Sequence, residues 1–346
     1  MGNAPLYLAI ALLAALVALV GTRVVRRIAL ALNLADEPNE RRINTTLMPR
    51  AGGFAVALSF FIVGATITIL AAPLGLTGGT PLPASGLAAL LLGTVLAGAI
   101  GLIDDRFDLR ARWQLAGQLV ISAVPIAFGV RITILSNPFG AGDLLIPDVI
   151  GLALTLFWVL GMQNAMNFID GLDGLSGGIA LIAAVTLGLI ALPATPLLAA
   201  LCFALAGALT GFLRHNFYPA SIYMGTSGIL AVAYALGVLS LLGTAKVVAA
   251  LLILGVPIID AFFVILGRLL AGRSPYSADT THIHQRLLNA GLSHRSAVLA
   301  LYGVTLLLSI GAVVLTESAA LSAFVGLLVV LGGVIVWLSR RAERHA

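Results

Sequence analysis

Charge is what this chain has least of. Of 346 residues, 10% are Asp, Glu, Lys or Arg, 60% are hydrophobic, and the mean hydropathy is +1.10. A soluble globular domain carries about 25% charged residues, so a soluble enzyme is excluded and a polytopic membrane protein is indicated. Cysteine is nearly absent as well. The single Cys202 lies inside an apolar run, which excludes a disulfide framework and a cysteine-rich metal site. A pI near 9.9 suggests a nucleic-acid partner. The placement of the basic residues at the edges of apolar segments argues against one.

What is abundant is apolar sequence in lengths suited to a bilayer, which needs about 20 residues per spanning helix. Eleven spans are expected, near 4–22, 52–72, 84–103, 115–130, 147–163, 174–192, 197–213, 226–243, 247–266, 297–316 and 319–338. No positive residue precedes the first, and Arg23, Arg26 and Arg27 follow it. That is the charge order of a retained helix with its N-terminus outside, not of a cleaved signal peptide. All of the 19 basic residues except Arg131 and Lys246 fall on alternate loops and the C-terminal tail. The positive-inside rule then makes the C-terminus cytoplasmic, with cytoplasmic loops near 23–51, 104–114, 164–173, 214–225 and 267–296. The expected architecture is all-α, one integral membrane domain over 1–346.

Against this background one stretch stands out: Asn164-Ala-Met-Asn167-Phe-Ile-Asp170-Gly-Leu-Asp173-Gly-Leu-Ser-Gly-Gly178. A charged residue at mid-membrane costs about 2.5–3.5 kcal/mol, so ionisable groups beside membrane segments point to function. If a helix begins near Asp170, Asp170 and Asp173 share a face, and Gly171, Gly174, Gly177 and Gly178 allow backbone or ligand to approach. The plain alternative is a polar inter-helix loop with turn glycines.

Further along the same face, Asp104 and Asp105 end an apolar segment. Adjacent carboxylates are comfortable only beside a cation or with one protonated. Hard oxygen donors favour Mg²⁺ or Mn²⁺ over zinc, whereas a solvated helix end with Arg106 as partner needs no metal. Pro49-Arg50-Ala-Gly52-Gly53 turns into the second span, and its arginine suits phosphate. His282 and His284, two apart, share a face only in an extended segment. With Arg273 and Arg286 nearby they look more like phosphate donors than a zinc site. Asp260 is the one carboxylate placed plausibly inside the membrane.

Taken together, Pro-Arg-x-Gly-Gly, Asp-Asp, Asn-x-x-Asn-x-x-Asp-Gly-x-Asp-Gly-Leu and the His-x-His loop resemble the polyprenyl-phosphate N-acetylhexosamine-1-phosphate transferases. The form Arg273-Ser-Pro…His282-Ile-His284-Gln-Arg286 is closer to their N-acetylglucosamine branch. The resemblance implies transfer of a sugar 1-phosphate from a UDP-sugar to polyprenyl phosphate, releasing UMP. It implies a bacterial inner-membrane enzyme with a cytoplasmic active site and Mg²⁺ or Mn²⁺. It also implies a possible homodimer. Asp104, Asp105 and Asp173 would be catalytic and, with a weak contribution from Thr226, hold the metal. Asn164, Asn167 and Asp170 would line the nucleotide and diphosphate site. His282, His284 and Arg286 would contact the donor diphosphate, and Arg50 would lie near the nucleotide.

The chain departs from the family at Thr226, where an aspartate ligand is usual, and at Asn44 (usually His), Gln114 (Lys), Thr280 (Arg) and Gln285 (His). These changes imply either an altered donor or, as the alternative reading, a catalytically impaired paralogue that binds lipid or nucleotide. A secondary transporter is the weaker alternative, because its carboxylates would sit near the bilayer midplane rather than at helix ends.

Overall fold

The computed structural model describes residues 3–36, 48–136, 143–243, 247–274, 281–315 and 317–343. In chain order the elements are α1 (Ala4–Ala31), β1 (Ala35–Asp36), β2 (Met48–Pro49), α2 (Phe54–Ile69), α3 (Ala84–Phe107), α4 (Ala111–Ala127), β3 (Ile134–Ser136), β4 (Asp143–Leu145) and α5 (Asp148–Ile169). They continue with α6 (Leu175–Ala191), α7 (Pro196–Asn216), α8 (Gly225–Leu242), α9 (Val247–Ile253), α10 (Gly255–Leu270), α11 (Ile283–Asn289), α12 (His294–Val314) and α13 (Glu317–Glu343). Expected positions Arg41, Arg42, Asn44, Lys246, Tyr276, Asp279, Thr280, Arg344 and His345 lie outside the described residues.

Each expected apolar stretch falls on a helix, but helix and span are not the same thing. Among the described residues α1, α3, α5, α7, α8 and α12 are long and apolar enough to cross a membrane, and α9 with α10 makes a seventh if the bent pair is one span. α2, α6 and the Ala319–Gly333 part of α13 are apolar but shorter. By length and composition, six or seven of the eleven expected spans meet that test among the described residues. Hydropathy registers apolar residues, whereas a helix buried by its neighbours need not reach both interfaces. The chain is a mainly helical, multi-pass membrane protein. The all-α expectation also overlooked two small antiparallel hairpins, β1–β2 and β3–β4.

The continuous 247–266 span is corrected to two helices meeting at 79° around Leu254. Gly255 and Pro257 cause the break: proline is tolerated in the first turn of α10 but cannot continue the α9 hydrogen-bond ladder. The expected loops are shorter than supposed because helices run past the first charge. α1 has 28 residues, about 42 Å at 1.5 Å each, so Arg23, Arg26 and Arg27 ride on it. α3 carries Asp104 and Asp105, and α5 carries Asn164 and Asn167.

Lipid offers no hydrophobic drive between helices, so small residues and polar contacts hold the bundle. Ala14 and Ala18 of α1 are fully buried, and α1 packs on α7. α3 and α8 form another extensive pair. The Tyr234 hydroxyl, fully buried on α8, donates to the Ala89 carbonyl at 2.8 Å. This bond sets the pair antiparallel and in a register that brings the C-terminus of α3 to the N-terminus of α8. Between α4 and α5, Gln163 Nε2 donates to Ser122 Oγ at 2.9 Å and Asn164 Nδ2 to Gln118 Oε1 at 3.1 Å. β2 delivers the next segment to the same end: Tyr223 N donates to Pro49 O, Gly52 N to Tyr223 O and Gly53 N to Met224 O, each at 2.9 Å.

Candidate functional site

At this end a polar cavity of about 430 Å³ is lined by Arg50, Asp104, Asp105, Asn167, Asp170, Asp173 and Thr226, together with Gln114, Asn216, Gln285 and His294. Three of the four motifs, far apart in sequence, thus share one chamber with Thr226.

Asp105 sits where the α3–α8 register leaves it, against the first turn of α8. Its Oδ1 accepts from Thr226 N at 2.7 Å and its Oδ2 from Ser227 N at 3.1 Å. A helix N-terminus presents unsatisfied N–H groups and partial positive charge, so it is a ready anion site. Gly225, at φ +71°, makes the approach possible; a Cβ there would lie 2.6 Å from Asp105 Oδ2. These N–H groups give the Asp105 carboxylate two partners within the protein. Asp104 is satisfied differently. Its Oδ1 accepts from Gln114 Nε2 at 2.9 Å and Leu109 N at 3.2 Å, and its Oδ2 from the Thr226 hydroxyl at 2.7 Å. Arg106 stays with neither; its guanidinium lies 5.6 Å from the Phe107 ring.

Asp170 and Asp173 are not on a helix. Asp170 is the residue at which α5 ends, and α6 starts only after Gly174. The Ser176 hydroxyl donates to Asp170 Oδ1, and Ala220 N donates to Asp173 Oδ2 at 2.9 Å. Asn216, which sequence reasoning passed over, accepts from Gly174 N and donates to Ile222 O, both at 3.1 Å, and so ties the turn to α7. Asp170 Oδ2 and Asp173 Oδ1 have no hydrogen-bond partner among the described residues. Burial pushes the Asp170 carboxyl up to about 6; the Ser176 hydroxyl opposes this, and the Asp173 and Asp105 carboxylates add to it. The residue as a whole is half-buried, but its carboxyl end is enclosed. The motif glycines do admit close neighbours, and these are protein side chains: His284 against Gly171, Phe217 against Gly174, Tyr302 against Gly178.

Residues 87–244 match the family described as glycosyl transferase family 4. A probable undecaprenyl-phosphate N-acetylglucosaminyl 1-phosphate transferase of Bacillus subtilis (strain 168) is 33% identical over 316 residues, 88% of this chain and 83% of that protein. The chain belongs to glycosyl transferase family 4. A decaprenyl-phosphate N-acetylglucosaminephosphotransferase of Mycobacterium tuberculosis (strain H37Rv) is 34% identical over 320 residues, covering 85% of this chain and 78% of its own. The undecaprenyl-phosphate alpha-N-acetylglucosaminyl 1-phosphate transferase of Escherichia coli (strain K12) is 29% identical over 303 residues, covering 83% and 78%.

In this family 4 chain four expected site residues lie outside the polar cavity. Asn164 faces Gln118 and lines a separate apolar cavity of about 560 Å³ between α5, α10 and α13. On α5 it lies nearly one turn before Asn167, which lines the polar cavity instead. His282, His284 and Arg286 belong to α11 and its entry. His282 Nδ1 is 2.8 Å from Asp260 Oδ2, and Asp260 Oδ1 accepts from Ile283 N at 2.7 Å. Arg286 Nε donates to Thr281 O at 2.5 Å. His284 is 6% exposed and its Nδ1 is buried with no hydrogen-bond partner. Burial, and then the His282 imidazole, pull it down to about 4, with Asp260 acting the other way and His294 the same way. Burial thus favours the neutral imidazole of His284.

The family 4 site fits a hard cation in one specific sense. Among the described residues no three His, Cys, Asp or Glu side chains converge into a cage. Mg²⁺ is usually held by one or two carboxylates with substrate phosphates completing its shell. Asp170 and Asp173 line the cavity and each keeps one carboxylate oxygen without a hydrogen-bond partner among the described residues, so these are the residues that would hold such an ion.

Proposed function

We propose that the chain transfers N-acetylglucosamine 1-phosphate from a UDP-sugar to a polyprenyl phosphate such as undecaprenyl phosphate, releasing UMP. The site would face the cytoplasm from a bacterial inner membrane, and the product would start a cell-envelope polysaccharide. One observation carries this reading: the end of α5 borders two chambers of opposite character. Asn167, Asp170 and Asp173 line the polar one, suited to a nucleotide diphosphate. Phe157, Gly161 and Phe168 line the apolar one, suited to a prenyl chain. The names of the relatives point the same way.

In the reaction, an oxygen of the acceptor phosphate attacks the sugar-bearing phosphorus of the donor. The bond from that phosphorus to the bridging oxygen breaks, and UMP leaves with the electron pair. A phosphate monoester has a second pKa of about 6, so the nucleophile is ionised without help and a general base adds little. Phosphoryl transfer then rests on positioning and on neutralising oxygens. Arg50 and Asn167 at the wall of the cavity would orient the donor. Asp170 and Asp173 would hold Mg²⁺ or Mn²⁺, which supplies charge neutralisation on phosphate oxygens when bound. Asp105 anchors α8, and Asp104, held by Gln114 and Thr226, forms the adjoining wall. The assay is UMP release from UDP-N-acetylglucosamine with undecaprenyl phosphate and Mg²⁺. No release from folded protein with any UDP-N-acetylhexosamine overturns the reading.

Thr226 motivates the second reading, a catalytically impaired paralogue. Its hydroxyl is spent on Asp104, and it brings no charge to the cavity. Nucleotide binding without turnover, and turnover gained on Thr226→Asp, would favour that reading over the first.

A further inference from the structure

We propose that the seam between α1 and α7 ends in a binding site for the phosphodiester headgroup of an anionic membrane lipid. The site is separate from the polar cavity, and its existence does not depend on the transfer reaction.

Glycine builds the seam. A Cβ at Gly207 would lie 2.1 Å from the Ala11 carbonyl oxygen, and one at Gly211 would lie 2.1 Å from that of Ala15. α7 therefore rests directly on the α1 backbone, the kind of close approach that small residues allow in membranes. The two helices run parallel, and four residues on along both of them His215 meets the backbone of Leu19. One turn further, α1 runs out of the membrane. About 20 residues cross a bilayer, so a helix that starts at Ala4 reaches the interface near Arg23. Close packing thus sets Arg23 and Arg26 of α1 beside Arg214 and His215 of α7, and all three guanidiniums act electrostatically on the His215 imidazole. Arg27, one turn past Arg23, shares its face.

This cluster has no counter-charge. Arg23, Arg26, Arg27 and Arg214 are all exposed, and none meets a carboxylate within ion-pair distance among the described residues. Arg26 engages only its Nε, which donates to the Ser221 carbonyl at 3.1 Å. Beneath the arginines, His215 Nε2 is buried with no hydrogen-bond partner. Four like charges repel one another, and a phosphate among them replaces that repulsion with forked, charge-assisted hydrogen bonds. None of the four lines the polar cavity.

The surroundings select a lipid over a free ion. Leu16 and Val20 stand seven residues before Arg23 and Arg27, two turns below them on the same face of α1, and both are exposed. A headgroup at the arginines therefore has an apolar track for its acyl chains directly beneath it. Basic pockets between membrane helices bind anionic headgroups in this way. A zwitterionic headgroup brings its own cation into the cluster and is disfavoured.

The test uses full-length protein in neutral detergent, titrated with phosphatidylglycerol, phosphatidylcholine or inorganic phosphate and followed by thermal shift and native mass spectrometry. Phosphatidylglycerol should raise Tm and stay bound, and phosphatidylcholine should do neither. Arg23→Gln and Arg214→Gln should each raise the phosphatidylglycerol concentration for half-saturation about fivefold, the contribution of one arginine near an anionic surface. Arg112→Gln, at an exposed arginine outside the cluster, should leave it unchanged. Equal stabilisation by phosphatidylcholine overturns the proposal, as does unaltered phosphatidylglycerol binding in both cluster variants. Inorganic phosphate matching the lipid at equal concentration overturns the lipid as ligand. Equal weakening by Arg112→Gln overturns the site, because net charge alone would then account for binding.

Discussion

The Thr226 hydroxyl donates a 2.7 Å hydrogen bond to the Asp104 carboxylate, a contact that spans 122 residues of sequence. The same residue's backbone N–H is bonded to Asp105, so Thr226 holds both acidic neighbours.

Removing that hydroxyl while keeping the shape tests its contribution. A hydrogen bond to a charged group is worth about 1.5–3 kcal/mol of stability. Thr226→Val is expected to lower Tm by a corresponding amount and to lower UMP release, because Asp104 loses one of the donors that fix it. An unchanged rate would show that Asp104 needs no donor on that side.

Asp105 predicts a different pattern. Asp105→Asn keeps the volume but replaces one accepting oxygen with an amide that faces an N–H donor. The expected cost is about 2–3 kcal/mol of stability, read as a lowered Tm in detergent. Asp173→Asn loses only an exposed-side acceptor and should leave Tm within a few degrees while activity falls.

Metal dependence follows from the open oxygens of Asp170 and Asp173. EDTA should abolish UMP release and Mg²⁺ restore it. In Asp173→Asn the Mg²⁺ concentration for half-maximal rate should rise about tenfold or more, as expected where two carboxylates share the ion. A rate insensitive to EDTA contradicts this assignment.

His284 makes stability depend on pH. Its folded pKa is lowered to about 4 from the ordinary value of 6.5. Between these values the unfolded chain binds the extra proton, so stability is fully present above about 6.5 and is lost as pH falls toward 4. Thermal unfolding at pH 7.5 and 5 should show this slope, and His284→Gln should flatten it.

Gly171 leaves no room beside His284. A Cβ at 171 would overlap the imidazole, and overpacking of this kind costs about 1–3 kcal/mol. Gly171→Ala should lower Tm and UMP release together. His284→Ala in the same chain should recover Tm, since the obstructing ring is gone.

Composition and pattern alone were enough to reveal a helical membrane protein and to single out part of the cavity wall. Ionisable residues are so rare here that each stands out, and Arg50, Asp104, Asp105, Asn167, Asp170, Asp173 and Thr226 do meet in one chamber. Several things were beyond its reach. Hydropathy counts apolar residues and does not weigh backbone hydrogen bonding, so it missed the break at Leu254. Residue type shows that Asp105 is charged but not that α8 would bring two N–H groups to it. Asp260 looked like a lone intramembrane acid, because its partner His282 is 22 residues away and reaches it only where the start of α11 meets α10. Asn164 and Asn167 read as equivalent amides, and the helix sent them to different cavities. Composition determines which groups must be satisfied inside a membrane. Only the packed helices decide which group satisfies which, since each of those partnerships spans a sequence distance that local periodicity does not encode.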